Sequence, residues 1–418
     1  MSAVFAVAFV ALVVLSFPIA HALVIGTTAA MLVEGQPLFA AVQQMYTPIQ
    51  NFPMIAIPFF IMAAELMMSG ELGKNLIDFA TDLVGRFRGG HAQVSVLGST
   101  LFGGVSGSAI ADASALGALL IPWQVKQGYP KAFCGATIAA ASTIDILIPP
   151  SIPMILYSLV SNASIASLFV AGVLPGLLVA AGFLAVCNVS ARLRGFPYDR
   201  QPMAWGRMAR RALYAAPALA MPVLVLVALR FGVITPTEVS TCAVLYALIV
   251  SVFFYRDLTW KRFKSAIYSG GVATGVVMLL IMASTAAGWM LTVEEIPQQF
   301  LHWAQRHLTS ADSVLMLMNG MLLFTGMFIE LPAAILLLTP LFLPLAHTFH
   351  IDLVQLGIVM FVNLAIGLYT PPIGATMIIG SMLSRSSIGA MVKELLPFYL
   401  WALIVLVLMT YIPALTIY

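Results

Sequence analysis

Charged side chains are scarce in this sequence: Asp, Glu, Lys and Arg together make up 8% of its 418 residues, whereas soluble domains contain about 25%. Hydrophobic residues make up 61%, and the mean hydropathy is +1.02. Apolar runs of the roughly 20 residues that a helix needs to cross a bilayer recur from end to end. The composition therefore excludes a soluble domain and predicts an all-α polytopic membrane protein.

Cysteine is also rare, and no nucleotide-binding loop is present. Cys134, Cys187 and Cys242 stand singly in apolar segments, without the spacing of a metal site or a disulfide framework. The sequence has no G-x-x-x-x-G-K-[ST] motif, which excludes a P-loop ATPase. The 19 basic residues lie in short loops and form no nucleic-acid-binding patch, so the expected surroundings are a lipid bilayer.

The basic loops indicate the topology. The positive-inside rule places five of them in the cytoplasm, at 86–88, 126–131, 192–211, 256–264 and 385–393. The segment from Gly90 to Gln124 has basic residues on both sides and a GGVSGS turn in its middle. We therefore predict that it enters and leaves on one face as a re-entrant helical hairpin, whose non-helical tip is buried in protein or faces water.

Nine spanning segments are predicted beside this hairpin and a second one at 312–346. They are 2–33, 51–70, 132–158, 165–190, 213–230, 235–254, 268–290, 352–384 and 395–416. The first lacks a basic n-region, so we interpret it as a spanning helix that starts in the cytoplasm, and we place the C-terminus after Tyr418 in the periplasm. Semi-polar stretches at 71–85 and 292–308 are predicted to be interfacial arms.

The two halves of the chain resemble one another at an offset of 218 residues. Asp112 matches Glu330, and Asp145 matches Asn363. A double proline follows shortly after Asp145 and again shortly after Asn363. By the charge rule the first hairpin opens from the cytoplasm and the second from the outside, so the repeats are inverted. We expect a scaffold helix and outer loop at 1–50, a first repeat at 51–160, linking helices at 161–267, a second repeat at 268–384 and a C-terminal helix at 385–418. The two repeats would form the transport domain.

Inverted repeats with discontinuous helices are typical of secondary transporters, whose ion and substrate sites lie at the breaks. In the first hairpin Gly107 permits the turn, and Ser106 and Ser108 offer hydroxyl oxygens. Asp112 lies one turn into the outgoing arm. There it either helps to neutralise a cation held by the tip or only caps the arm.

Other polar residues interrupt the apolar segments. Glu330, before Leu331, either lines the site or only caps the second outgoing arm. Asp145 either lines the site or packs against the first hairpin through a hydrogen bond, and Asn363 and Thr370 flank the second break as candidate cation or substrate contacts. We predict substrate contacts from Ser106, Ser108, Asp145, Glu330 and Asn363.

Two other functional classes fit part of the pattern. The GxSG sequence ending at Gly107 resembles that of intramembrane serine proteases, and a passive channel would also be apolar. A serine nucleophile needs a base within hydrogen-bond reach, and no predicted membrane segment carries a central histidine. Neither class accounts for the inverted repeat, so we predict a transporter and not an enzyme.

Five motifs carry a family resemblance over essentially the whole chain: FGGVSGSAIADASALGALLIP, GYPKAFCGAT, ILIPPSIPMILYS, VITPTE and NLAIGLYTPPIG. Together they are similar to the large membrane subunit of tripartite ATP-independent periplasmic (TRAP) transporters. The resemblance implies sodium-coupled uptake of an organic acid across the bacterial inner membrane, by an elevator movement of the hairpin-bearing domain. It also implies two partners, a small four-helix membrane subunit and a periplasmic substrate-binding protein. An autonomous ion-coupled carboxylate transporter is the alternative.

The resemblance also implies two sodium sites. One would use Ser106, Gly107 and Ser108 with the segment before Pro149, and the other would use Gly326, Gly367 and Thr370. We predict that Asp112 also contributes to the first of these sodium sites. Two residues depart from the family's pattern: Glu330 stands where members commonly carry Asp, and Asp145 stands where a small or apolar residue is usual. No arginine occurs from 268 to 292, where members for sialic acid carry a basic contact, which disfavours sialic acid as the substrate.

Overall fold

A computed structural model describes residues 2–15, 17–68, 72–198, 205–232 and 234–416. Parts of the predicted segments at 51–70 and 71–85, of the basic loop at 192–211 and of the VITPTE motif lie outside these ranges, as does Tyr418. The described α-helices are α1 Ser2–Val14, α2 Ile19–Val33, α3 Leu38–Tyr46, α4 Ala56–Met68, α5 Leu72–Val84, α6 Gly90–Ser106, α7 Ala109–Lys126, α8 Lys131–Ala141, α9 Ile152–Ser161, α10 Ile165–Arg194, α11 Trp205–Arg230, α12 Pro236–Ile249, α13 Trp260–Val293, α14 Ile296–His307, α15 Ala311–Gly326, α16 Leu331–Thr348, α17 Leu353–Leu368, α18 Ala375–Ser384 and α19 Ile388–Tyr411.

The prediction of an all-α polytopic membrane protein is confirmed. Within the described ranges every regular element is helical, and six stretches are long and apolar enough to cross a bilayer. These are α10, α11, α12 with the turn that extends it, α13, α16 and α19, and α3 with α4 passes the same test as a pair bent by 71°. The other predicted spans are divided into shorter helices, because proline or glycine interrupts them.

All five basic loops meet at one end of the molecule, here called the basic end. Arg194 forms two hydrogen bonds with Glu394, at 2.5 and 2.7 Å, and Arg211 forms an ion pair with Asp82 at 2.8 Å. At the other end, here called the opposite end, the hydroxyl of Tyr157 donates to the carbonyl of Leu353. The charge pattern that assigned the loops to one face is therefore matched by their positions in the fold.

The predicted spanning helix at 2–33 is wrong. The chain turns back between Val14 and Ile19, because Pro18 has no amide proton and disfavours a helical conformation in the residue before it. Helices α1 and α2 pack against each other, and a β-carbon added at Gly26 would lie 3.4 Å from the Phe5 ring. Their apolar faces also cover the end of α13, through contacts among residues such as Phe9 and Ala287.

The first helix therefore begins at the opposite end, not at the basic end. The backbone nitrogen of Ser2 donates to the carboxylate of Glu294, at 2.7 Å, just after the end of α13. Helix α13 is one unbroken helix of 34 residues, about 50 Å long, and it starts in the basic loop around Lys261. The expected cytoplasmic start of the first helix is thus corrected. The last described residues follow α19 at the opposite end, where Gln355 donates to the carbonyl of Thr410.

Helices α6 and α7 form an antiparallel hairpin, here called hairpin 1. The amide of Gln124, near the end of α7, donates to the carbonyl of His91, at the start of α6, at 2.8 Å. Both helices thus begin or end at the basic end, and Gly107, with φ +61°, makes the turn. Helices α15 and α16, joined by residues 327–330, form hairpin 2, which begins and ends at the opposite end.

Two predicted spans are discontinuous. Helices α8 and α9 are separated by residues 142–151, here called the first break, and α17 and α18 by residues 369–374, the second break. Each break contains a double proline, Pro149–Pro150 or Pro371–Pro372, and the peptide bond that joins the two prolines is cis. The order of helix, interfacial arm, hairpin, broken helix and long helix occurs twice, over α4–α10 and over α13–α19.

Candidate functional site

A cavity of about 390 Å³, here called the central cavity, lies where both hairpin tips meet the first break and α13. Hairpin 1 contributes Gly107–Ala111 and Ser114, and hairpin 2 contributes Glu330, Leu331 and Pro332. The remaining walls are apolar and come from the breaks and α13: Ile146, Ile152, Pro153, Leu368, Ala273, Val276, Val277 and Leu280. Its size suits a small organic molecule, and its few polar groups are concentrated at the tips.

Hairpin 1 presents the end of one helix and the start of another at this point. Helix α6 ends at Ser106, and Ser108 caps α7 by accepting a hydrogen bond from the backbone nitrogen of Ala111 at 3.5 Å. The tip lies directly on the first break, since a β-carbon added at Gly107 would lie 2.7 Å from the carbonyl oxygen of Pro150. Free carbonyls at the end of α6 suit a cation, and free amides at the start of α7 suit an anion.

Hairpin 2 meets the second break in the same manner. Gly326, the last residue of α15, lies against Gly367, and a β-carbon added at Gly367 would overlap the backbone of Gly326. The backbone nitrogen of Ile373 donates to the carbonyl of Met327 across this junction, at 3.4 Å. Thr370 lies in the break, where its hydroxyl donates to the carbonyl of Ile366. The structure thus brings Gly326 together with Gly367 and Thr370, although Gly326 and Thr370 are 44 residues apart in sequence.

Glu330 occupies the N-cap position of α16, but its side chain makes no capping hydrogen bond. The residue is exposed and lines the central cavity. Glu330 thus stands at the start of the outgoing arm without capping it through its side chain, and its carboxylate borders the cavity.

Glu330 also borders a second cavity of about 390 Å³, which the sequence did not indicate. Its walls are the tip of hairpin 2, the second break and the turn between α1 and α2, including Val13, Phe17 and Pro18. Because the sequence predicts a single helix over 2–33, nothing in it would have placed this turn beside hairpin 2. The folding back of α1 onto α2 creates the cavity.

Asp112 and Asp145 lie outside the central cavity, and both are 0% exposed. Ser108 occupies the N-cap of α7, and Asp112 lies in the first turn that follows. Asp145 lies against hairpin 1, where a β-carbon added at Gly103 would be 2.9 Å from its Oδ1. Asp145 therefore packs against hairpin 1 and does not line the central cavity, but the hydrogen bond predicted for that packing is absent among the described residues.

Asn363 and Ser106 also stand apart from the cavity wall. The side chain of Asn363 donates to Asn319 Oδ1 at 2.7 Å, and Asn319 donates to the hydroxyl of Thr410 at 2.9 Å. This polar chain links α17, α15 and α19. Ser106 is 7% exposed and lies just behind the tip. Sequence reasoning missed Asn319, although an amide inside the apolar run LMLMNGMLLF is a signal that could have identified it.

Comparison with known proteins identifies the family of this chain. The family model described as "Tripartite ATP-independent periplasmic transporter, DctM component" matches residues 6–415. The chain is 48% identical to the uncharacterised protein y4mL of Sinorhizobium fredii over the whole of both chains. It is 36% identical to the C4-dicarboxylate TRAP transporter large permease protein DctM of Pseudomonas aeruginosa, over 90% of this chain and 87% of the relative. It is 36% identical to the sialic acid TRAP transporter large permease protein SiaM of Vibrio cholerae, over 90% and 88%.

Proposed function

Because the chain belongs to the DctM component family of tripartite ATP-independent periplasmic transporters, we propose that it imports a small organic acid across the bacterial inner membrane by coupling uptake to sodium. The observation that carries this proposal is the central cavity, which is lined by both hairpin tips, the first break and the end of α17. Sites of this construction bind substrates and coupling ions in secondary transporters.

Family membership also excludes the protease alternative, because the relatives are permease components of transporters and not enzymes. The geometry agrees with this. Ser106 is buried, and its hydroxyl has no hydrogen-bond partner among the described residues. A serine nucleophile needs a base that accepts its proton.

The cavity favours an anionic solute with an apolar body. The start of α7 points its free amides at the cavity, and a helix N-terminus attracts a carboxylate. No Lys, Arg or His among the described residues lines the cavity, and α13 contributes only Ala273, Val276, Val277 and Leu280. Glu330 would repel a second carboxylate unless a cation or a hydroxyl group of the solute lies between them. Such walls fit a compact organic acid better than a large polyhydroxylated one such as sialic acid.

Sodium is the proposed coupling ion, with one site at each hairpin tip. The first would be formed by Ser106, Gly107 and Ser108 against the break that contains Pro149, and the second by Gly326, Gly367 and Thr370. Both junctions place ends of helices, with unpaired backbone carbonyls, next to hydroxyl groups. Hard monovalent cations prefer such oxygen ligands, and one charge moving down a potential of 100 mV releases about 2.3 kcal/mol.

The proposed movement is an elevator in which the hairpins travel as one domain. Hairpin 1 begins and ends at the basic end and hairpin 2 at the opposite end, which supports inverted repeats with re-entrant hairpins. We assign the repeats at 51–160 and 268–384 to the moving domain, and 1–50, 161–267 and 385–418 to scaffold and linking segments. The small four-helix membrane subunit would enlarge the scaffold, and the periplasmic binding protein would deliver solute at the opposite end.

Reconstitution provides the direct test of the proposed function. Liposomes that contain this chain and the small membrane subunit, with the binding protein outside, should accumulate a labelled C4-dicarboxylate or a related organic acid under an inward sodium gradient. Replacing sodium by choline at the same ionic strength should abolish uptake, because the gradient supplies the free energy. Equal uptake in choline would contradict sodium coupling.

Removing a hydroxyl at either hairpin tip should weaken sodium binding. We expect Thr370→Ala or Ser106→Ala to raise the sodium concentration for half-maximal uptake about tenfold, since the loss of one ligand oxygen costs about 1.4 kcal/mol. The matched control is Thr81→Ala. The hydroxyl of Thr81, like that of Thr370, bonds to the carbonyl four residues earlier, at 2.8 Å, but lies on the amphipathic helix α5. An unchanged sodium dependence in both tip variants would contradict the assignment of these sites.

A further inference from the structure

Two carboxylates are buried side by side behind the tip of hairpin 1. Asp112, in the first turn of α7, and Asp145, in the first break, are both 0% exposed and interact electrostatically with each other. None of their four carboxylate oxygens has a hydrogen-bond partner among the described residues. Two adjacent charges in such surroundings repel each other and have lost the solvation of water, so the pair must either hold a proton or bind a cation.

A third polar group points to the same place. The hydroxyl of Ser99, on α6, faces Asp112 across the hairpin. Ser99 is also 0% exposed, and its hydroxyl has no hydrogen-bond partner of ordinary geometry in the described part of the chain. Buried hydroxyls are rarely left unpaired, so an oxygen-rich site of this kind indicates a missing ligand.

The protein itself supplies no counter-charge. Among the described residues, no Lys, Arg or His forms an ion pair with Asp112 or Asp145. Lys126 ends α7 and Lys131 begins α8, both at the basic end, away from the tip. The start of α7 contributes about half a positive charge next to Asp112, which leaves more than one negative charge to be balanced.

The matching position in the second half carries a neutral side chain. Asn363 lies 218 residues after Asp145, and its amide donates directly to the side chain of Asn319. Its Oδ1 has no hydrogen-bond partner among the described residues, but an uncharged amide needs no counter-ion. The first half instead places two acids together.

We propose that Asp112, Asp145 and Ser99 bind a sodium ion behind hairpin 1, in addition to the ions at the two hairpin tips. The oxygens suit a hard cation. A single positive charge together with the α7 dipole offsets most of the charge of the pair. This inference rests on the proposed sodium coupling for the identity of the ion. The site would raise the number of sodium ions carried with each solute molecule.

Sodium binding to purified protein tests the site without requiring a known solute. The chain is purified with its small membrane subunit, and bound radioactive sodium is counted at saturation. Asp145→Asn should bind one sodium ion fewer per chain than the wild type. Ser99→Ala should keep the same count with several-fold weaker affinity at one site. Asp78→Asn, which removes an acid from the amphipathic arm near Arg211, is the control and should match the wild type.

The outcomes separate this inference from the proposed function. If Asp145→Asn folds and binds as many sodium ions as the wild type, the site is overturned while sodium coupling stands. If the wild type itself binds no sodium, both fail.

A proton could also neutralise the pair, and in that case the melting temperature in sodium-free buffer would fall as the pH rises from about 6 to about 9. If the double variant Asp112→Asn, Asp145→Asn lacks that fall and the sodium counts are equal, the sodium site is overturned in favour of a proton. Ser99→Ala provides a second test in case the aspartate variants do not fold. Unchanged sodium affinity in Ser99→Ala would also contradict the site.

Discussion

Gly367→Ala should abolish transport while the protein still inserts into the membrane. A β-carbon at this position would overlap the backbone of Gly326, so hairpin 2 could no longer rest against the second break. Close-packed backbones cannot move apart at one point without losing the neighbouring contacts, here the hydrogen bond from Ile373 to Met327. Uptake into liposomes under a sodium gradient would measure the loss, which we expect to exceed about 100-fold, equivalent to about 2.7 kcal/mol.

The matched control for this variant is Gly320→Ala in the same hairpin. A β-carbon at Gly320 meets no atom within 4 Å, and alanine favours a helix over glycine. This variant should therefore transport at the wild-type rate and melt at the same or a slightly higher temperature. Wild-type uptake by Gly367→Ala would show that the junction of hairpin 2 with the second break is not part of the transport site.

This chain reconstituted without its partners should not transport free solute at a measurable rate. The described segments between its helices are short, and none of them forms a soluble domain that could capture solute. An elevator needs a scaffold that stays still while the hairpin domain moves, and a second membrane subunit would provide it. Uptake should appear only when both the small membrane subunit and the periplasmic binding protein are added, as measured with a labelled organic acid under a sodium gradient.

Omitting one partner at a time makes this prediction sharper. Without the binding protein the complex should remain intact by gel filtration and yet take up no free solute. Sodium-driven uptake by the chain alone would instead support an autonomous ion-coupled carboxylate transporter. The control is a complex that carries Gly320→Ala, which should require the same two partners as the wild type.

Much of the fold could be predicted because the sequence encodes it locally. Apolar runs define membrane helices by length, and Pro149 and Pro371 interrupt helices because proline lacks an amide proton. The hairpin bounds agree to within a few residues, with helices at 90–126 and 311–348 against predictions of 90–124 and 312–346. The prediction of one helix over 2–33 failed because proline can either kink a membrane helix or end it, and Pro18 ends it here. The packing of Phe5 and Phe9 against α2 and α13 stabilises the folded-back arrangement.

The candidate site was also predictable from the sequence only in part. The motifs in the sequence were enough to assign the chain to this family of helical membrane transporters. They also located the hairpin tips, because an acidic residue is costly in lipid and a cluster of glycine and serine interrupts an apolar helix. Tertiary structure decided which of these residues face the cavity. Glu330 does, whereas Asp112, Asp145 and Asn363 are buried in helix contacts. The reason is that a polar residue in an apolar segment must find a partner, but whether that partner is a solute, an ion or another helix depends on neighbours that are distant in sequence.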